Sequence, residues 1–170
     1  MKPTLIAFLI IGVFTIKAYA QDAPASLPAS KKNPVRIEYA DNVMLDSVSK
    51  DVLFQRSLDF INKNYSHPKQ VIKTQWAISG ILTGSAEFNA GKGIRPSYEI
   101  EIVSTNKGYH YSFFFISYTD DFVPNVMRTL SVTGSSGIRP KDWIVVSNKI
   151  SDTMTGLVAK LKKTMSGQKD

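Results

Sequence analysis

The stretch Tyr98–Asp120, YEIEIVSTNKGYHYSFFFISYTD, decides the fold, because its pattern predicts a β-hairpin. Its first half alternates apolar residues with Glu99 and Glu101, the period of a strand with one buried face. Asn106-Lys107-Gly108 supplies turn residues. The second half is rich in aromatic residues, which favour a pleated sheet. The alternating apolar positions are Tyr98, Ile100, Ile102, Tyr109, Tyr111, Phe113 and Phe115.

The turn leaves two registers open, and a slip of one residue exchanges the two faces of the second strand. A two-residue turn at Lys107-Gly108 places Ile100 and Ile102 on the same face as Tyr111, Phe113 and Phe115. A three-residue loop with the glycine in a bulge places them on the face of Phe114 instead. We favour the first register, because the polar side chains then share the wetter face. These side chains are Glu99, Glu101, His110 and Ser112.

Residues 1–20 have the features of a secretory signal peptide. Lys2 precedes the apolar core Leu5–Ile16, and Ala18-Tyr19-Ala20 has the small-residue pattern of a cleavage site. The apolar run is too short to span about 30 Å of hydrocarbon. A lipoprotein would need a cysteine at the cut, and the sequence has none. We therefore expect cleavage after Ala20 and a periplasmic or secreted protein that is neither lipid-anchored nor membrane-spanning.

Composition limits the class of protein and of partner. The chain has 170 residues, no cysteine and a formal charge of +7, which becomes +5 without Lys2 and Lys17. A mature chain of about 150 residues has to rely on its core, which at that size buries about 68–70% of the unfolded surface. Because no dense stripe of lysine and arginine is present, we do not expect a nucleic-acid partner.

The pattern along the chain predicts one domain. Residues 21–34, rich in Ala, Pro and Ser, indicate a flexible linker, residues 35–165 the domain, and residues 166–170 a tail. The predicted elements are a first strand Val35–Tyr39 with Val35, Ile37 and Tyr39 inward, a helix Ser49–Tyr65, strands Gln70–Trp76 and Ser79–Phe88, a loop Asn89–Pro96, the hairpin, a short strand near Met127–Val132, and a C-terminal helix starting at Asp142 or nearer Ser151.

The first helix has the clearest signals. Ser49 is a candidate N-cap, and Phe54, Leu58, Ile61 and Tyr65 fall on one helical stripe. The order β-α-β-β-β-β-α with short turns predicts an α+β fold. Its antiparallel sheet would have about five strands, with two helices on one face.

These segments resemble a family of exported Bacteroidetes proteins, a domain of unknown function with a TBP-like fold. The similarity extends over about Val35–Asp120 and rests on the runs SKDVLFQRSLDFINKNY, QVIKTQW, SGILTGSAEFN and YEIEIV–NKG–YHYSFFF. Ser57 stands where the family usually has alanine, and Phe60 where it usually has tryptophan. The matching motifs are mostly core positions, so the resemblance implies a fold and no activity, cofactor or catalytic residue.

Glu101, His110 and Ser112 share one face of the hairpin in the favoured register, and a Ser/His/acid cluster is the chemistry of a hydrolase triad. Catalysis also needs an oxyanion hole and a nucleophile on a strained, exposed turn. A flat strand supplies neither. An ordinary solvated sheet face is therefore the favoured interpretation, with a hydrolase as the alternative.

The tetrapeptide Gly-Ile-Arg-Pro occurs twice, at residues 93–96 and 137–140. A short repeat of this kind often arises by chance. If the two copies meet in the fold, Arg95 and Arg139 would line one anion-binding edge.

We expect no metal or cofactor, because two histidines and no cysteine supply too few ligands for a zinc site. The sequence favours a non-enzymatic envelope domain that binds a protein or glycan through its open sheet face or an edge strand. A hydrolase and a purely structural domain are the alternatives, and the oligomeric state stays open. The predicted binding residues are Glu99, Glu101, His110, Ser112, Phe114, Arg95 and Arg139.

Overall fold

The computed structural model describes residues 23–134 and 137–168, which contain six strands and three helices. The predicted signal peptide and its cleavage site lie outside these residues, as does the end of the predicted tail. The elements are β1 (Glu38–Met44), α1 (Lys50–Asn64), α2 (Pro68–Val71), β2 (Ile72–Trp76), β3 (Ile81–Glu87), β4 (Ile94–Thr105), β5 (Gly108–Asp120), β6 (Val123–Arg128) and α3 (Pro140–Ser166).

The strands form one antiparallel sheet in the order β1-β5-β4-β3-β2, and β6 pairs with β5 beyond the end of β1. Phe60 of α1 packs edge-on against Phe113, with ring centroids 6.3 Å apart. Lys162 of α3 lies 5.8 Å from the centroid of the Tyr111 ring. Residues 111 and 113 point to the same side of β5, so both long helices cover one face. The predicted α+β fold is confirmed.

The central hairpin keeps the predicted faces but not the predicted turn. Ile100 lies opposite Phe113 and Ile102 opposite Tyr111, whereas Thr105 pairs with Gly108 across the loop Asn106-Lys107. The turn therefore sits one residue earlier than expected. The Thr105 hydroxyl accepts from the Lys107 N–H at 3.2 Å and donates to the Gly108 carbonyl at 3.0 Å, which favours this closure.

Gly108 is required both by its own backbone conformation and by the neighbouring strand. Its φ is 138°, and a Cβ atom there would overlap the carbonyl oxygen of Val43 in β1. An absent side chain at Gly108 thus lets β1 approach the hairpin closely.

The core lies between the helices and the inner face of the sheet. Ser49 caps α1, since its side chain accepts from the Val52 N–H. Phe54 and Ile61 of α1 are buried, as the predicted stripe requires. Ser57 is fully buried and donates to the Phe54 carbonyl at 2.6 Å, so its small side chain allows close packing. The fully buried large side chains include Ile37, Leu53, Phe60, Ile61, Leu82, Tyr98, Ile100, Ile102, Phe113, Phe115, Tyr118 and Leu130.

The first strand starts later than predicted. β1 begins at Glu38, and Val35, expected to point inward, is 57% exposed. The register with β5 sets this boundary, because Glu38–Met44 pairs with Gly108–Phe114. The preceding segment also differs from the expected linker over residues 25–30. Leu27 is buried, and the Ser30 N–H donates to the Arg36 carbonyl at 2.8 Å.

Three other boundaries shift. β4 begins at Ile94, inside the segment predicted as the loop Asn89–Pro96. The region after the hairpin holds β6, which starts four residues before the strand expected near Met127–Val132. α3 begins at Pro140, close to the earlier of the two predicted starts, and ends at Ser166, followed by Gly167 with a φ of 79°. Proline at the first turn and glycine after the last are typical of helix ends.

Candidate functional site

The sheet has an open face, on the side away from α1 and α3, and most predicted binding residues lie there. Glu101 pairs with Ser112, Glu99 with Phe114, and Val103 with His110, so directly opposite side chains share this face. Glu99 and Glu101 are exposed, whereas the alternate residues of β4 are buried. The favoured register therefore brings Glu99, Glu101, His110, Ser112 and Phe114 together.

β1 adds a carboxylate that the sequence analysis did not single out. The Ser112 hydroxyl donates to Glu38 Oε1 at 2.8 Å. Partial burial opposes ionisation of Glu38, but hydrogen bonds from Ser30 and Ser112 and the nearby Lys32 outweigh it and lower the Glu38 pKa. The alternation that turns Ile37 inward puts Glu38 outward, and that signal was available in the sequence.

The residues of the hypothetical hydrolase triad bind other partners. His110 Nδ1 lies 3.1 Å from Asn42 Oδ1, and the Ser112 hydrogen goes to Glu38. Among the described residues, no hydrogen bond joins Glu101, His110 and Ser112 to one another. The strand N–H groups around Ser112 pair with β1 and β4, so they do not form an oxyanion hole.

Charged groups surround Phe114 and Glu99 on the open face. The guanidinium carbon of Arg36 lies 5.4 Å from the Phe114 ring centroid, a cation–π contact. Lys73 Nζ is 3.9 Å from Glu99 Oε1, and both side chains are half-exposed, so this ion pair is weak. The centre of the face is thus polar and carries three carboxylates, from Glu38, Glu99 and Glu101.

The two Gly-Ile-Arg-Pro segments approach one cavity of about 450 Å³ at the end of the sheet. Ile94 lines it from the first copy, and Ile138 and Arg139 from the second. Arg95 is not among its lining residues and instead pairs with Asp121, Nε to Oδ1 at 3.2 Å. The predicted anion edge therefore has one of its two arginines at the cavity.

The charge of that arginine is already balanced. Arg139 forms an ion pair with Asp142, and Asp120 and Asp142 both line the cavity beside Lys92. Two carboxylates next to two cations do not select an anion.

The strand β6 exposes apolar side chains that no sequence pattern revealed. Met127 is 65% exposed and Val123 and Val126 are also exposed, while Phe122, in the turn before β6, is 81% exposed. Only β5 pairs with β6 among the described strands, through Tyr118–Arg128 and Asp120–Val123.

Two kinds of site are not found over residues 23–134 and 137–168. No group of three or more His, Cys, Asp or Glu side chains is placed to hold a metal ion. None of the helices in this part of the chain has the length and apolar character to cross a membrane.

A family described as a domain of unknown function (DUF4468) with TBP-like fold matches residues 39–119. That segment belongs to the DUF4468 family. The match runs from β1 to the end of β5 and leaves β6 and α3 outside it. It confirms the resemblance inferred from the core motifs of the first helix and the hairpin.

Two crystal structures are similar to this chain in fold. One is a TBP-like protein from Parabacteroides distasonis, 12% identical, with a TM-score of 0.56 over 81% of this chain and 98% of that one. The other is a DUF4468 family protein from Bacteroides ovatus, 11% identical, with a TM-score of 0.56 over 80% of this chain and 90% of that one. No curated protein matches the sequence. At these identities the similarity shows the fold alone.

Proposed function

We propose that the chain is an exported, non-enzymatic binding domain of the bacterial envelope that takes up an extended segment of a partner protein along β6. Export is supported by the signal-peptide pattern of residues 1–20. Binding is supported by one observation above all, the exposed apolar strand at the sheet edge. Met127 of β6 is 65% exposed, and Phe122, in the turn that leads into β6, is 81% exposed.

A strand with one unpaired edge is a ready template for another strand. In β-strand addition the main-chain hydrogen bonds supply affinity, and pockets for alternate side chains supply specificity. Proteins usually protect such edges with charge, proline or cover. Pro124 removes one N–H donor from β6, but Val123, Val126 and Met127 leave the strand with exposed apolar side chains. A partner strand would bury these side chains and satisfy the free main-chain groups.

The open face would serve as a second, polar contact for the same partner. Glu38, Glu99 and Glu101 give it acceptor groups, and Phe114 with Arg36 gives it an aromatic contact at one end. The hydrolase alternative has less support, because Ser112 donates to Glu38 and His110 contacts Asn42. Both residues serve as polar contacts in this proposal.

A pair of matched variants tests the proposal. Met127→Asp puts a charge on β6, and Ile78→Asp puts the same charge on another exposed apolar residue, 92% exposed in the β2–β3 turn. The purified protein would capture partners from envelope extract, and binding would be measured again with each purified partner. We expect Met127→Asp to abolish binding and Ile78→Asp to preserve it. Equal binding by both variants would exclude β6 as the docking strand.

A further inference from the structure

A second concave site lies on the helix-covered side of the sheet, away from the open face and from β6. It is a groove of about 510 Å³ between the end of α1, the ends of β3 and β4, and the middle of α3. We call it the α1–α3 groove. The residues that carry the argument are Asn64, Tyr65, Phe88, Asp152, Gly156 and Lys160. Its volume is within the range of small-molecule sites.

The floor of the groove is aromatic. Phe88 packs edge-on against Tyr98, with ring centroids 6.1 Å apart, and Phe88 and Tyr65 are half-buried. The Tyr65 and Tyr98 hydroxyl oxygens are 3.1 Å apart. One hydroxyl donates to the other, so the accepting hydroxyl keeps a hydrogen with no other acceptor among the described residues. The floor thus combines flat apolar surface with a free donor.

The rim of the groove carries polar groups that the fold leaves available. Glu87, Asp152 and Lys160 all line it, and none of the three is in a salt bridge within the described part of the chain. Carboxylates accept hydrogen bonds and the ammonium donates them. With two negative groups and one positive, the rim does not favour a strongly charged ligand.

Gly156 keeps the groove open without any requirement from the fold. It lies in the interior of α3, where glycine lowers helix stability, and a Cβ atom there would meet no atom within 4 Å. Asp152, Gly156 and Lys160 are spaced by four residues, so they share the helix stripe that faces the groove. A larger side chain at position 156 would enter the space between Asp152 and Lys160.

We propose that the α1–α3 groove binds a small neutral saccharide. A pyranose ring has an apolar face suited to Tyr65 and Phe88, and its hydroxyls both donate and accept. They match the mixed rim of carboxylates, amide and ammonium. This site is separate from β6, and the proposal does not depend on strand addition there.

The test is saturation-transfer difference NMR on the purified protein with glucose, galactose, N-acetylglucosamine and cellobiose. We expect signal on the ring protons of at least one sugar. Gly156→Leu should weaken that sugar's binding by about tenfold or more, because the new side chain fills the groove. Ala159→Leu is the matched control, since it adds the same side chain at an exposed position of α3 outside the groove, and it should bind as the unmodified protein does.

Thermal unfolding of both variants checks that each is folded, as expected because leucine is a much better helix former than glycine and only slightly worse than alanine. Lys160→Ala, which removes a rim group without filling the groove, should weaken binding as well. The proposal is overturned by a lack of transfer to every sugar, by unchanged binding in Gly156→Leu, or by binding of the aromatic amine tyramine without any saccharide.

Discussion

The hydroxyl of Ser112 on β5 donates a hydrogen bond to the carboxylate of Glu38 on β1 across 2.8 Å, although the two residues are 74 apart in sequence. Ser112 is 9% exposed, so its hydroxyl is largely shielded from water. It connects the edge strand β1 to the central hairpin through side chains as well as the main chain. The hydroxyl hydrogen of Ser112 is therefore used in a contact between two strands and is not directed at His110.

Replacing Ser112 with alanine should destabilise the protein by about 1 kcal/mol, because a hydrogen bond to a charged group is lost while Glu38 stays half-exposed to water. Chemical denaturation measures the change. Ser117→Ala is the matched control. Ser117 is equally buried on β5, but its hydroxyl has no hydrogen-bond partner among the described residues. That variant should be neutral, and an equal loss in both variants would contradict the assigned role of Ser112.

Acid should weaken the fold partly through Glu38. Its pKa is lowered in the folded state from the ordinary value of 4.5, so ionised Glu38 stabilises the folded protein above about pH 4.5. That contribution is lost as the pH falls through the lowered folded-state pKa. Glu38→Gln should therefore flatten the dependence of the unfolding free energy on pH in this range, as measured by denaturation at several pH values.

Asp41 also has a lowered pKa in the folded state, so it too stabilises the fold less as the pH falls. Its contribution therefore has to be separated from that of Glu38. A hydrogen bond from Lys162, with Nζ 2.9 Å from Asp41 Oδ2, lowers the Asp41 pKa. Glu38→Gln in an Asp41→Asn background isolates the Glu38 contribution. If the double variant and Asp41→Asn show the same pH dependence, the ionisation of Glu38 is not linked to folding.

The faces of the elements could be predicted from the sequence because they depend on local periodicity. Alternation in β4 placed Glu99 and Glu101 on the outside, and helical spacing placed Phe54 and Ile61 inside. The start of β1 could not be predicted, since its partner lies more than 60 residues away and the pattern of Val35–Tyr39 fits either boundary.

The candidate site was predictable to the same extent. Glu99, Glu101, His110, Ser112 and Phe114 share a face, as alternation requires. The partners of Ser112 and His110 come from β1, and only the three-dimensional pairing of β1 with β5 shows them. The sequence of β6 gives only a weak indication of a strand, because the strand is short. Its pairing with β5, through only two residue pairs, is visible only in the structure.

Two glycines should respond in opposite directions to the same substitution. Gly108→Ala should destabilise the protein by about 3 kcal/mol or more, because φ is 138° and the new Cβ overlaps the Val43 carbonyl of β1. Gly156→Ala should stabilise it by about 1 kcal/mol, since the position is helical and open. Thermal and chemical unfolding measure both. A mild effect of Gly108→Ala would mean that β1 does not press on the hairpin turn as described.

The paired hydroxyls of Tyr65 and Tyr98 give a prediction about coupling. Burial raises the pKa of both phenols, so both stay protonated and one donates to the other at 3.1 Å. Tyr65→Phe leaves the hydroxyl of Tyr98, a residue only 2% exposed, without its partner, which should cost about 1–3 kcal/mol. Tyr98→Phe should have a cost of similar size, because burial also desolvates the Tyr65 hydroxyl that it leaves without its partner. The double variant should cost less than the sum of the two single ones, because it leaves no unpaired buried hydroxyl.

A double-mutant cycle of unfolding free energies measures this difference. Strict additivity would show that the hydroxyls do not stabilise each other in solution.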